Sequence, residues 1–413
     1  MTLDPVHVDE IAALARLIER DVDDTDHGAL AAQIWESWLD PLTHDGQAVY
    51  EPLDEQFRRR VAIDDIGLIE PPFPTCHGID AGTMNPTTFR NGAVVDVAHA
   101  AMAREPSEQA LHRRRSIVGT IIHGAQTMAV PEQWHSFDGG YCRRKWLRAP
   151  RVDRFAEGVV HTLALYHAES DHALTHLDRV EDALLLDGPM YPKELLRWED
   201  RHTELRERLH AEVVPSEVIQ AYIRLVTKCL DRELPLLGFV KNPASNRLTR
   251  VIRAAGHPAP WFNDAAFFRQ ILAPGSSVDR KADHLTYTNW FVSRAGTDRT
   301  FAADAPIGLD IRFPNERTAY EVTTMAVYDP RDSVVYTVEA PRGITENQEL
   351  RERLTKLVLR DVAAERGPPQ AVAKADSLAR IGRAEKRSLR EAIESAWDTR
   401  VDRTYDDLRW GEA

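Results

Sequence analysis

Two aspartates follow apolar stretches of the chain, and a glutamate lies on the helix predicted between them. Asp80 and Asp187 each end a short apolar run, with glycine directly after Asp187 and two residues after Asp80, which leaves a carboxylate open to a ligand. Glu157 lies early in the intervening helix, where the helix dipole favours an acid. Three adjacent carboxylates repel one another unless cations neutralise them, and hard oxygen ligands select Mg²⁺ or Mn²⁺. The residues therefore predict a metal site suited to phosphodiester hydrolysis. Taken singly, each acid is equally typical of a turn or a helix start.

The elements that must position these acids follow one another in a recognisable order. Three strands come first, then a long helix, a strand, helices and a further strand; they are predicted at 74–80, 91–102, 116–123, 152–177, 180–187, 193–234 and 236–241. An antiparallel meander followed by helix–strand–helix–strand is the order of a ribonuclease-H-like mixed sheet. In that fold the first and fourth strands are adjacent and parallel, so we expect Asp80 and Asp187 to lie side by side.

Helical extensions are predicted at both ends of this α/β fold. The first, 7–41, belongs to an N-terminal helical segment that we place at 1–65, and the nuclease-like domain with its helical insertions occupies 66–413. Later elements are predicted as helices at 244–254, 262–272, 347–366 and from 370 onward, and as strands near 284–294, 309–314 and 333–339.

The net charge of −13 provides no global basic field for nucleic acid. DNA binding would have to depend on local basic residues. Arg143, Arg144 and Lys145 lie in a predicted loop, 137–146, where aromatic residues alternate with them and could stack bases while the cations hold phosphates. Solvated loop arginines are an equally good interpretation.

The three cysteines are widely spaced and form no CxxC pair, which favours a reducing cytoplasm over a disulfide framework. The start of the chain lacks the basic and apolar regions of a signal peptide. No apolar run reaches the roughly 18 residues that a transmembrane helix needs. We therefore expect a cytoplasmic protein without a membrane partner.

Several motifs carry a family resemblance. The segment 79–83, Ile-Asp-Ala-Gly-Thr, resembles the Asp-Gly-Ser motif that opens the NurA nuclease domain, and 184–190, Leu-Leu-Leu-Asp-Gly-Pro-Met, resembles that family's second aspartate motif. The segment 238–245 is similar to its strand-ending lysine motif, and 338–341 to a late Glu-x-Pro strand. The segment 367–376 lies where the family's C-terminal helix begins, so the resemblance runs from about Pro72 to the last helix.

This resemblance to NurA implies an archaeal, haloarchaeal-like nuclease that processes DNA ends in double-strand break repair. Such enzymes depend on Mn²⁺ or Mg²⁺, form homodimers and act with a HerA-type hexameric ATPase. The implied activity is 5′–3′ exonuclease, single-strand endonuclease or both. The resemblance assigns Asp80, Glu157 and Asp187 to metal-carboxylate positions and Lys241 to a basic position near the scissile phosphate, in contact with DNA.

The chain departs from the family pattern at two positions. Pro368 stands where the pattern has tyrosine, and Asp376 stands where it has histidine. A carboxylate at 376 would restore the four-acid set of ribonuclease-H-like enzymes, so we predict that Asp376 is a metal ligand. Arg380, four residues further along the predicted helix, is the alternative partner for Asp376.

Two other functions remain open. A non-catalytic DNA-binding or scaffold subunit of a HerA-type translocase complex would keep the fold and lose the chemistry. A ribonuclease or Argonaute-like slicer on the same fold is the third possibility.

Overall fold

The computed structural model describes residues 4–17, 27–125, 128–273, 282–303, 309, 311–403 and 405. Within them the helices are α1 (Pro5–Leu17), α2 (His27–Trp38), α3 (Ile63–Gly67), α4 (Gln109–His112), α5 (Ala156–His176), α6 (Lys193–Leu196), α7 (Trp198–Arg201), α8 (Thr203–Ala211), α9 (Val213–Asp231), α10 (Arg247–Ala254), α11 (Asp264–Leu272), α12 (Arg342–Thr345), α13 (Gln348–Glu365), α14 (Gln370–Ala379) and α15 (Arg383–Trp397).

The strands form one extended sheet. They are β1 (Leu42–His44), β2 (Gln47–Pro52), β3 (Arg58–Ala62), β4 (Cys76–Thr83), β5 (Thr87–Thr88), β6 (Val94–Glu105), β7 (Arg115–Ile122), β8 (His135–Phe137), β9 (Cys142–Arg148), β10 (Leu184–Asp187), β11 (Leu236–Val240), β12 (His284–Thr288), β13 (Phe291–Ser293), β14 (Val322–Asp329) and β15 (Val334–Pro341).

The centre of the fold is a five-stranded part of this sheet in the order β7-β6-β4-β10-β11. β4 pairs antiparallel with β6, and β6 pairs antiparallel with β7, which is the predicted meander. β10 pairs parallel with both β4 and β11. The order confirms the predicted ribonuclease-H-like mixed sheet, with its first and fourth strands adjacent and parallel.

Helices α5 and α14 cover opposite faces of β4. Ala164 and Ala168 of α5 pack against Ala81, whose side chain points to one face of the strand. Gly78, three positions earlier, points to the other face, where a Cβ atom would clash with the backbone of Ala371 in α14. Glycine is therefore what allows α14 to lie directly against the strand that carries Asp80.

Beyond β11 the sheet continues through β15, β14, β13, β2 and β1, all antiparallel. β12 and β3 extend it from β14. The segment 1–65 is therefore not wholly helical: after α1 and α2 it contributes β1, β2 and β3, which are short and partly polar. The part of 309–314 that the structure describes is not a strand, and β14 was not predicted.

Candidate metal centre

Three aspartates lie together where β4 and β10 run side by side. Asp80 is in β4, Asp187 is the last residue of β10, and the pairing of Leu186 with Ile79 places the two acids at the same level. Asp376 lies on α14, which covers this face of β4. One carboxylate oxygen from each aspartate lies within 4.8 Å of the others. The structure thus brings together three of the four predicted metal-binding acids.

Lys241, the residue directly after β11, lies beside these acids. Its Nζ donates a hydrogen bond to Asp187 Oδ2 at 2.6 Å and lies 3.5 Å from Asp376 Oδ2. Burial alone would lower the pKa of Lys241, but the hydrogen bond and charge of Asp187 outweigh it and raise the pKa above its ordinary value. The ammonium therefore offsets part of the negative charge of the three aspartates.

The remaining negative charge shows in the aspartate pKa values. Burial, followed by the charge of Asp187, raises the pKa of Asp80 to about 7. Burial also raises the pKa of Asp187, although Lys241 opposes this shift. The ionised forms of these acids are thus disfavoured by burial and by one another, and a divalent cation would stabilise them.

The donor set fits Mg²⁺ or Mn²⁺. All three donors are carboxylate oxygens, and among the described residues no histidine or cysteine belongs to this group. Hard oxygen ligands of this kind suit Mg²⁺ and Mn²⁺ rather than zinc. Ligands on opposite sides of Mg²⁺ lie about 4.2 Å apart, so small side-chain rotations would bring all three acids onto one ion.

Glu157 does not belong to this group, which corrects its prediction as a metal ligand. It lies in the first turn of α5 with an exposed side chain that accepts a hydrogen bond from Thr88 Oγ1 at 3.4 Å. The helix dipole explains an acid at this end of α5. The aspartates, however, interact with a different part of the helix.

Glu169 is the α5 carboxyl that interacts electrostatically with the aspartates, and the sequence reasoning missed it. It lies 12 residues after Glu157, which is about 18 Å further along the axis of α5. It is buried and accepts a hydrogen bond from Tyr222 Oη at 2.6 Å. Burial raises the pKa of Glu169 to about 8; the Tyr222 hydrogen bond opposes the shift, and the charges of Asp80 and Asp187 add to it. The available signal was an acid three residues after Tyr166, within the apolar face of an amphipathic helix.

Asp376 is paired with Lys241 and not with Arg380. Helix α14 ends at Ala379, and Arg380 has extended backbone with φ −63° and ψ 127°. The side-chain geometry that joins residues four apart in a helix is therefore lost. Arg380 is exposed, and its Cα lies 3.4 Å from the position that a Cβ on Gly82 would occupy. It thus lies over β4 close to the aspartates.

The three basic residues of the predicted loop lie in strand β9, which separates their side chains onto two faces. Arg143 forms an ion pair with Asp171 of α5 and is therefore already engaged on the α5 face. Lys145 alternates to the same face and lies 5.2 Å from the ring centroid of Trp134. Arg144 is exposed and points to the other face.

The strand register places Arg144 on the same side of the sheet as the aspartates. Gly82 pairs with His99, His99 with Ile117, and Ile117 with Arg144, so these residues share a row and a face. Arg144 is three strands away from β4 in this row, which is about 14 Å across the sheet. Among Arg143, Arg144 and Lys145, only Arg144 combines this face with exposure.

Strand order and acid placement together define a class: a ribonuclease-H-like α/β protein with a candidate divalent-metal centre where two adjacent parallel strands run side by side. The chain also matches the NurA domain over residues 74–381, most of its length. It therefore belongs to the NurA family, as the motifs predicted. The matched region includes Asp80, Asp187, Lys241 and Asp376, whereas α15 lies outside it.

Solved structures with a similar fold are distant in sequence. The NurA nuclease from Sulfolobus solfataricus is 10% identical, with a TM-score of 0.49 over 95% of this chain and 97% of that one. A NurA bound to dAMP and manganese is 12% identical, with a TM-score of 0.47 over 97% and 98%. A NurA with manganese is 11% identical, with a TM-score of 0.41 over 81% and 95%.

Curated protein sequences give no significant match to the chain. Within the part of the chain that the structure describes, the helices are too short or too polar to cross a bilayer.

Proposed function

We propose that this protein is a divalent-metal-dependent nuclease that hydrolyses phosphodiester bonds in DNA. The observation that carries the proposal is the group of three aspartate oxygens within 4.8 Å of one another, with Lys241 against two of the acids. Membership of the NurA family, whose name and motifs belong to nucleases, supports the same reaction class.

Each residue of the centre has a role in this proposal. Asp80 and Asp187, fixed by neighbouring strands, and Asp376, supplied by α14, would hold Mn²⁺ or Mg²⁺. The bound metal would supply Lewis-acid polarisation of a phosphate oxygen and activation of water. Lys241 is close enough to the acids to exchange its contact with Asp187 for one with the phosphate and to offset charge that develops there. Glu169 takes the place that we first gave to Glu157, as a buried carboxyl whose protonation is coupled to the charges of Asp80 and Asp187.

DNA would reach the centre along the face of the sheet that carries the aspartates. Lys241, Arg380 and Arg144 provide exposed or half-exposed cations on or beside that face. Arg143 and Lys145, which we also predicted to bind DNA, face α5 instead, so their contribution is to hold β9 in place. A protein with a net charge of −13 needs such a local path, because its overall field repels DNA.

We further propose that the protein acts as a homodimer on DNA ends during double-strand break repair, together with a HerA-type hexameric ATPase. Family membership supports this partnership. The proposed activity is 5′–3′ exonuclease, single-strand endonuclease or both. We also propose a cytoplasmic location, which the three free cysteines support.

Cleavage assays test the proposal. Purified protein is incubated with end-labelled single- and double-stranded DNA, with Mn²⁺, with Mg²⁺ and with a chelator. We expect metal-dependent cleavage that Asp80→Asn abolishes and that Asp200→Asn, a change in an exposed ion pair with Arg299, leaves intact. DNA binding without cleavage in any metal would instead identify a non-catalytic subunit, the function that proline at 368 keeps open.

A further inference from the structure

Four charged side chains, three of them buried and one half-buried, form a second cluster close to the candidate metal centre. Lys193 of α6 pairs with Glu339 of β15 and lies 2.9 Å from Asp298. Arg247 of α10 pairs with Asp298, and its Nη2 lies 3.3 Å from Glu339 Oε1. These four residues, here called the buried ion cluster, contain two acids and two bases and so balance in formal charge.

The buried ion cluster holds the turn that follows Asp187. Glu339 Oε2 accepts a hydrogen bond from the backbone N–H of Met190 at 3.3 Å. Lys193 belongs to the same segment, and the N–H of Gly188 is bonded to the carbonyl of Phe239 at 3.0 Å. Both ends of the turn are therefore tied to neighbouring strands, immediately after the acid that Lys241 contacts.

The same cluster also holds the segment that follows Lys241. Arg247 lies six residues beyond Lys241, and its Nε donates to Ser245 Oγ at 2.7 Å. Glu339 is paired in register with Gly238 of β11, the strand that ends next to Lys241. A Cβ on Gly238 would lie 2.6 Å from the carbonyl oxygen of Gly188, so this strand and the turn after Asp187 touch directly.

Stability alone does not explain four charges in this position. Removing charges from water is costly, and well-packed apolar side chains often serve as well or better. A buried ionic cluster does, however, allow only a few arrangements, because every donor needs its acceptor. Burial alone would raise the pKa of Glu339, but Lys193 and Arg247 lower it below its ordinary value, so the acid is held ionised between its two bases.

We infer that the buried ion cluster is a positioning device for the candidate metal centre: by tying the segments after Asp187 and Lys241 to Glu339, it fixes Asp187 for metal binding and holds Lys241 beside it. The inference rests on the proposed metal centre and assigns Glu339 as a positioning residue. Outer partners that orient metal ligands typically change metal affinity by about 10- to 100-fold when they are replaced.

The test compares Glu339→Gln with a matched variant, Glu321→Gln. Glu321 is equally buried and lies between Arg294 and Arg342, at 2.7 Å from each, but its described contacts do not include the turn after Asp187. Both substitutions keep side-chain volume and remove one acid from two bases, each of which retains another acidic partner. Mn²⁺ binding is measured by titration calorimetry on folded protein, and hydrogen exchange of 188–193 is measured without metal.

We expect Glu339→Gln to weaken Mn²⁺ binding about 10-fold or more and to speed exchange at 188–193, while Glu321→Gln changes neither. Glu339→Asp keeps the charge on a shorter side chain and should fall between Glu339→Gln and the parent; it carries the test if Glu339→Gln does not fold. Parent-like affinity in these Glu339 variants, with a parent that binds Mn²⁺, overturns the inference and leaves the proposed function standing. A parent that binds no Mn²⁺ overturns the metal centre, and the inference with it.

Discussion

Replacing Asp376 by asparagine tests the metal centre at the position where the chain departs from its family. The substitution keeps the shape of the side chain and removes its charge. The Asp376 side chain is 55% exposed, and its ion pair with Lys241 spans 3.5 Å, so losing that pair should cost at most about 1 kcal/mol of folding free energy. Thermal unfolding without metal should therefore change little.

Metal binding should change far more. A divalent cation and a unit charge 4.8 Å apart, the limit of the aspartate spacing, attract each other by about 1.7 kcal/mol even in a water-like dielectric. A metal ligand lies closer than that, so this figure is a lower bound. It corresponds to a factor of about 20 in affinity. We expect Asp376→Asn to raise the Mn²⁺ concentration for half-maximal cleavage at least that much.

The assay is a Mn²⁺ titration of cleavage of end-labelled DNA, with thermal unfolding of the same samples. Asp200→Asn removes an equally exposed acid from an ion pair with Arg299 and should leave the titration unchanged. Asp376→His should retain part of the activity, because imidazole also binds Mn²⁺. A titration of Asp376→Asn that overlays the parent would refute the assignment of Asp376 as a ligand.

Three further substitutions separate the remaining roles. Asp80→Asn should abolish cleavage. In the presence of a chelator, it should also stabilise the protein more at pH 8 than at pH 5. The pKa of Asp80 is raised to about 7 in the folded state, so its ionisation destabilises that state as the pH rises. Equal unfolding temperatures of variant and parent at both pH values would contradict this. Glu169→Gln should lower the cleavage rate, because Glu169 is electrostatically coupled to Asp80 and Asp187, whereas Glu157→Gln should not. A kinetic assay in which only Glu157→Gln slows cleavage would reassign the role to Glu157. Arg144→Gln should lower the slope of log DNA affinity against log salt by about one, whereas Arg143→Gln, already paired with Asp171 in the parent, should not; an unchanged slope for Arg144→Gln in a binding titration would remove it from the DNA path.

The parts of the fold that the sequence predicted are those with continuous apolar runs between turn residues. β4, β6, β7, β10 and β11 are of this kind, and their order alone was enough to place Asp80 beside Asp187. The short strands β1, β2 and β3 are partly exposed, so they carry no such pattern. They are strands because they pair with one another and with β12 and β13, and such long-range pairing does not show in local composition.

The helix carboxylate was misplaced for a different reason. A sequence shows that an acid suits the start of a helix, and Glu157 meets that condition. The sequence does not show which part of a long helix lies beside the aspartates of the sheet. Glu169 is buried against Tyr222, a residue far away in the sequence, and this contact exists only once α5 and α9 have packed together.

The close approach of α14 to β4 separates two kinds of change at this centre. A side chain at Gly78 would push α14 away from the sheet and carry Asp376 with it, so substitutions there alter where the third ligand stands. Substitutions at 376 itself start from a Cα that the helix already holds in place, so they alter only which atom is offered to the metal. Position 78 therefore controls where the third ligand lies, and position 376 controls which chemical group binds the metal. The ligand type can change while the backbone stays the same. Histidine and aspartate are both compatible with this arrangement, since each needs only the same anchored helix beneath it.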